Sequence, residues 1–130
     1  MEQARIDLSK YRLEQSKQCL KSSKVLYDIE DYKGSANRSY YAIFHAIRSV
    51  LALEAVDFKR HSAVISYFRK NYIKTGIFKV ELSDIISEAF DIRSDSDYND
   101  FYIVCKNDIF IQIENATYFY DEIEKYIKSI

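Results

Sequence analysis

In the stretch SANRSYYAIFHAIRSVLALE, residues 35–54, the polar residues Asn37, Tyr41, His45 and Arg48 follow one another at i, i+4, i+8 and i+11. In a helix that spacing stacks them into one stripe, here along the edge of an apolar face. Two chemistries suit such a stripe. Tyrosine and histidine can cover apolar area with their rings while their polar tips hydrogen-bond across a bundle. Alternatively, the stripe borders a groove that holds a ligand. A single imidazole lacks the partners that nucleophilic catalysis or metal binding demands, so a chemical role for His45 requires a second element.

The segment RSDSDYND, residues 93–100, offers one. Read as a turn, its Ser94, Asp95, Ser96 and Asp97 are good caps for the start of a last helix. Helical phase adds a further expectation, because extending the preceding helix aligns Arg93 with Leu82, Ile86 and Phe90 on the inward face. Read backward along the last helix, Tyr98, Tyr102, Cys105 and Ile109 share a stripe, which directs Tyr98 into the same groove from the opposite side. A guanidinium placed there needs a carboxylate, and Asp97, Asp95 or Asp91 can supply it; that pairing alone would make a purely structural network.

A third feature is the run FKRHSAVISYFRKNYIKTGIFKV, residues 58–80, which holds Lys59, Arg60, Arg69, Lys70, Lys74 and Lys79 and no acidic residue. Its interleaved Phe58, Tyr67, Phe68, Tyr72 and Phe78 could stack the bases of single-stranded RNA while the cations meet phosphates. Aromatics at helical spacing are also what a core with a solvated basic rim contains. His61, beside Lys59 and Arg60, can cap a helix or touch a phosphate.

The elements that must position these residues are helical. The 130 residues contain no proline and only Gly34 and Gly76, so long helices are permitted nearly everywhere. Ile6, Leu13, Leu20 and Tyr27 recur every seven residues with Ser9, Ser16 and Ser23 between them, which predicts one helix over residues 3–28 whose serines let a neighbour approach closely. Ser35 is the expected cap of a second helix, ending near Glu54. A third is expected over Lys59–Tyr72 with Gly76 in its exit turn, and a fourth over Lys79–Ile92. Ile109, Ile111 and Ile113 alternate like a strand, but Ile109, Ala116, Ile123 and Ile130 repeat by seven for too long to be one. The expected fold is all-α, an up-and-down bundle of four main helices plus a short one, in a single domain over residues 1–130.

Charge and cysteine usage exclude several function classes. The formal net charge is −1, so no global field pulls the chain onto nucleic acid or an anionic membrane, and local patches must do so. Cys19 and Cys105 have neither a metal-ligand spacing nor the density of a secreted scaffold, so no metal or other cofactor is expected. The start MEQARIDLSKYR lacks the apolar centre of a signal peptide, and no window reaches the roughly 18 apolar residues of a membrane span. A cytoplasmic protein without a membrane partner is expected.

Taken together, ANRSYYAIFHAIRSVL, KRHSAVISYF and RSDSDYND resemble the HEPN family, in its small stand-alone bacterial and archaeal branch, over about Leu20 to Tyr126. The resemblance implies a helical bundle, commonly homodimeric. It also implies a toxin or defence protein that is often a ribonuclease encoded beside a small nucleotidyltransferase, which would act as antitoxin. The catalytic signature of that family, an Arg followed four to six residues later by His, falls here on Arg93, with Tyr98 in place of the histidine. Tyrosine has an unperturbed pKa of about 10 and is a poor base at neutral pH. If activity is retained, Arg93 would stabilise charge on a phosphate, Tyr98 would orient it or donate a proton, and His45 or His61 would act as base. Asn37, Tyr41 and Asp97 would complete the groove, with Lys59, Arg60, Arg69, Lys70 and Lys74 as the RNA-facing patch. The alternative is a non-catalytic homodimeric module that binds a nucleotide, RNA or protein.

Overall fold

The computed structural model describes residues 2–99 and 103–130. Four long helices and one short helix make up the bundle: α1 (Gln3–Asp28), α2 (Tyr32–Ala52), α3 (His61–Phe68), α4 (Glu81–Tyr98) and α5 (Lys106–Ser129). There is no strand among the described residues, so the expected all-α architecture is the observed one. No described helix is long and apolar enough to cross a membrane.

α2 is the central element and packs on each of the other four helices. Ile43, Ile47, Val50 and Leu51 on α2 meet Val64 and Phe68 of α3, Leu82 and Ile86 of α4, and Phe119 and Ile123 of α5 in one buried cluster. Each such side chain stabilises the fold by about 1.5–3 kcal/mol relative to leaving it in water. α5 resolves the period-two ambiguity, since Ile109, Ile113 and Ala116 are buried at helical spacing whereas Ile111 is half exposed.

The three heptad serines of α1 are buried, and Ser16 and Ser23 form the seam with α2. Ser16 Oγ donates to Ala42 O at 2.6 Å. Ser23 Oγ donates to Ser35 O at 2.8 Å and lies 2.7 Å from Ser39 Oγ, while Ser35 Oγ donates back to Ser23 O at 2.8 Å. Backbones can approach this closely only because no large side chain intervenes.

Several boundaries differ from the sequence reading. α2 starts three residues before Ser35: Asp31 is its cap, accepting from the Gly34 N–H at 2.9 Å, and Ser35 is spent on the α1 seam instead. α3 starts at His61 and passes into a π turn, Arg69–Ile73, before Gly76, at φ +85°, makes the exit turn. α4 starts at Glu81 and continues to Tyr98, past the turn expected at residues 93–100. The Arg93–Asp97 ion pair at i, i+4 spans that extra turn and a half and favours helix there. The last helix therefore begins only at Lys106, so Tyr98 is on α4 and Cys105 is an exposed N-terminal flank. Of the stripe expected across this junction, Tyr102 lies outside the described residues.

Candidate functional site

The polar stripe of α2 faces the ends of α3 and α4, and its centre is Arg93. The Arg93 side chain is 17% exposed, with Nε 2.9 Å from Asp97 Oδ2. That contact is an ion pair whose angle is too poor for a hydrogen bond, since Nε counts as unpartnered. Nη2 points at the Tyr41 hydroxyl at 3.5 Å, the outer limit of a hydrogen bond. The guanidinium carbon lies 5.1 Å from the Tyr40 ring centroid and 5.5 Å from that of Tyr41, so the two rings wall the charge in. Asn37 Nδ2 reaches the same Asp97 Oδ2 at 3.5 Å.

Two imidazoles adjoin this arrangement. His61, the first residue of α3, stacks on Phe44 at 3.9 Å, and its Nδ1 is 3.0 Å from the Tyr40 hydroxyl. His45 packs against Tyr41 and Phe44, each at 6.0 Å, with its Nδ1 buried and unpartnered. Arg93, His45 and His61 thus all contact the aromatic cluster Tyr40–Tyr41–Phe44. Burial lowers the His45 pKa first, and the charges of Arg48, Arg38, Arg12 and His61 lower it further. Burial, then Arg93 and Arg48, does the same for His61. Both rings are neutral at neutral pH. Burial pushes the Tyr40 hydroxyl up to about 12 against the pull of Arg93, so it remains a proton donor.

Tyr98 is not part of the cluster, and here the sequence expectation is corrected. It sits five positions beyond Arg93 on the same helix, turned about 140° around the axis, and is 77% exposed. The basic patch is corrected too. Arg69 is committed to α4, donating to Ser83 Oγ and Ser83 O at 3.0 Å each and to Ser87 Oγ at 2.6 Å, so it pins the π turn in place. Lys59, Arg60, Lys70 and Lys74 are exposed and make no ion pair among the described residues. Of the interleaved aromatics, Phe68, Tyr72 and Phe78 are core, and Phe58 alone is largely exposed, at 41%.

A second ionic cluster was missed in the sequence. Asp57, in the α2–α3 loop, accepts from Arg12 Nη2 at 3.1 Å and Arg48 Nη2 at 2.8 Å on the same Oδ2, and Arg12 Nη1 also donates to Arg48 O at 3.3 Å. Burial raises the Asp57 pKa, but the Arg48 hydrogen bond, the Phe58 N–H and the charges of Arg48 and Arg12 outweigh it and leave it below the usual carboxylate value. The available signal was Arg48 itself, a half-buried cation at the end of the stripe that required an acid nearby.

The model of the HEPN domain matches residues 9–129. "Putative toxin MJ0142" of Methanocaldococcus jannaschii is 30% identical over 117 residues, 90% of this chain and 80% of that protein. A UPF0332 protein of Thermotoga maritima is 29% identical over 120 residues, 92% of this chain and 91% of its own length. Another UPF0332 protein, from Archaeoglobus fulgidus, is 28% identical over 102 residues, 78% of this chain and 81% of its own.

Proposed function

The chain belongs to the HEPN domain family, and from that premise we propose that it is a toxin-associated cytoplasmic protein that binds RNA in the groove between α2, α3 and α4. The toxin name of the Methanocaldococcus jannaschii relative supports the first half of this reading. The second half is carried by one observation: Arg93 is held between Tyr40 and Tyr41 with a single, poorly aligned carboxylate partner. A guanidinium so oriented, with donors not fully used, is suited to a phosphate oxygen. The match over residues 9–129 supports reading residues 1–130 as a single HEPN-like unit. A second copy of the chain and a nucleotidyltransferase antitoxin are the protein partners this reading carries.

Fluorescence anisotropy of labelled single-stranded RNA tests it. Arg93→Gln should weaken binding about tenfold or more and flatten the dependence of log affinity on log salt by about 0.7, the contribution of one phosphate on a single strand. Unchanged affinity and slope would remove Arg93 from the site.

Cleavage is the second reading, favoured by His61. Its ring is neutral, its Nδ1 is engaged by Tyr40, and the Arg93 charge is close enough to lower its pKa. In the tautomer whose Nδ1–H donates to the Tyr40 oxygen, such an imidazole can take a 2′-hydroxyl proton through Nε2, a task for which the solvent-facing Tyr98 is unsuited. This reading requires RNA cleavage in chelated buffer that is lost in both Arg93→Gln and His61→Asn. Binding without turnover leaves the non-catalytic module.

A further inference from the structure

Resting on that RNA reading, we infer a second nucleotide subsite on the other side of His61. The cavity walled by Phe44, Arg48, Asp57, Phe58, Lys59 and His61 takes one nucleotide of a single-stranded RNA, its base on Phe58 and its phosphate on Lys59 and Arg48. The cavity holds about 390 Å³, enough for one nucleotide and open to solvent.

Charge is the first argument. Arg12 and Arg48 share one oxygen of Asp57, and the other oxygen accepts the Phe58 N–H at 2.9 Å, so two cations face one carboxylate. The Arg48 side chain is 26% exposed at this wall, and the exposed Lys59 makes no ion pair among the described residues. The wall therefore carries surplus positive charge and unused donors, which an anion satisfies and a neutral ligand does not.

Aromatic surface is the second. Phe58 is 41% exposed and its ring lies 5.7 Å from that of Tyr67, tilted by 48°, so it stands at the rim with part of its surface in solvent. A base stacks on such a platform whatever its identity. Stacking on a phenyl ring and charge contacts to a phosphate accept any base, so the subsite is sequence-neutral. Continuity with the Arg93 groove is the third. His61 and Phe44 line the cavity and also belong to the aromatic cluster around Arg93, so one strand can occupy both places. A duplex keeps its bases stacked on one another and cannot offer one to Phe58.

The chain has no tryptophan, so Phe58→Trp adds a single indole at the rim whose emission can be excited selectively over that of the twelve tyrosines. Titration of that variant with a short oligouridylate should quench its emission at wild-type affinity. Phe58→Leu should weaken binding about 5- to 150-fold, the loss of one stacked base, and Lys59→Gln should flatten the salt dependence by about 0.7. Phe58 and Lys59 are both exposed, and circular dichroism should find both variants folded. Wild-type binding by Phe58→Leu and Lys59→Gln, together with an unquenched indole, would overturn the subsite while leaving the Arg93 groove standing. Equal quenching by duplex RNA, or by AMP at the same nucleotide concentration, would overturn its assignment to a single strand. If the wild-type protein binds no RNA, the subsite falls together with the proposed function.

Discussion

Ser23 gives the most direct access to how α1 positions the site-bearing helix α2. Its side chain is fully buried, and its hydroxyl donates to Ser35 O while standing 2.7 Å from Ser39 Oγ, which must then be the donor in that pair. Ser23→Ala removes both bonds. Each contributes about 0.5–1.5 kcal/mol net, and a buried hydroxyl left without a partner costs about 1–3 kcal/mol. Ser39 can recover part of this by turning its hydroxyl to the carbonyl of Ser35, four residues earlier and vacated by the same change. The expected loss is therefore about 1–2 kcal/mol. Ser23→Leu adds bulk where the two backbones meet and also removes the bonds, so its loss should exceed about 3 kcal/mol. Ser22→Ala, next in sequence but exposed, should stay within about 0.5 kcal/mol of the parent. Urea unfolding followed by far-ultraviolet circular dichroism measures all three, provided the slope m is unchanged. If Ser23→Leu were as stable as the parent, the small residues would not be setting the approach of α1 and α2, and the account of the seam would fail.

Two further outcomes follow from the site and its supports. His45 has a depressed folded-state pKa, so between that value and the unfolded value of about 6.5 the unfolded chain binds more protons. The stability that this ring contributes is complete above about pH 6.5 and is lost as pH falls through its folded-state value. His45→Gln should accordingly flatten the acid side of a plot of urea midpoint against pH, and parallel curves for the two proteins would contradict the assignment. At the start of α2, Asp31→Ala should cost about 1 kcal/mol through the lost cap, and Gly34→Ala should act on the same contact, because a Cβ there would sit 2.5 Å from Asp31 Oδ2. Thermal melts of the singles and the double should therefore be less than additive; full additivity would mean that the two residues act independently.

The helices were legible where one periodicity ran unbroken. The serines of α1 could be assigned to a close helix contact because they kept the heptad phase of Ile6, Leu13 and Leu20, and burial follows that phase. α5 could be read as helix because Ile109, Ala116 and Ile123 keep a seven-residue repeat that a strand cannot sustain. Boundaries were lost where a local preference met a tertiary demand. Ser35 as cap leaves Gly34 outside α2, yet Gly34 lies in its first turn, where the missing Cβ makes room for the Asp31 carboxylate. Ser94 to Asp97 favour a cap by residue type, yet α4 runs through them, with Asp97 paired to Arg93 one turn earlier.

That last override decides how much of the site could be read. The inward direction of Arg93 came from continuing the phase of Leu82, Ile86 and Phe90 past residue 92, which assumes that α4 does not stop. Tyr98 was directed into the same groove by assuming that α4 does stop and a new helix begins at once. Both assumptions cannot hold. Once the helix runs through residue 98, the rotation that keeps Arg93 inside carries Tyr98 out to solvent. Asn37, Tyr41 and His45 survive because they depend on the phase of α2 alone. The Arg12–Asp57–Arg48 cluster joins positions 45 and 9 residues apart, and no helical period connects α1 to the loop after α2. Only packing makes that connection, which is why the second subsite becomes arguable from the assembled helices while the first was arguable from the chain.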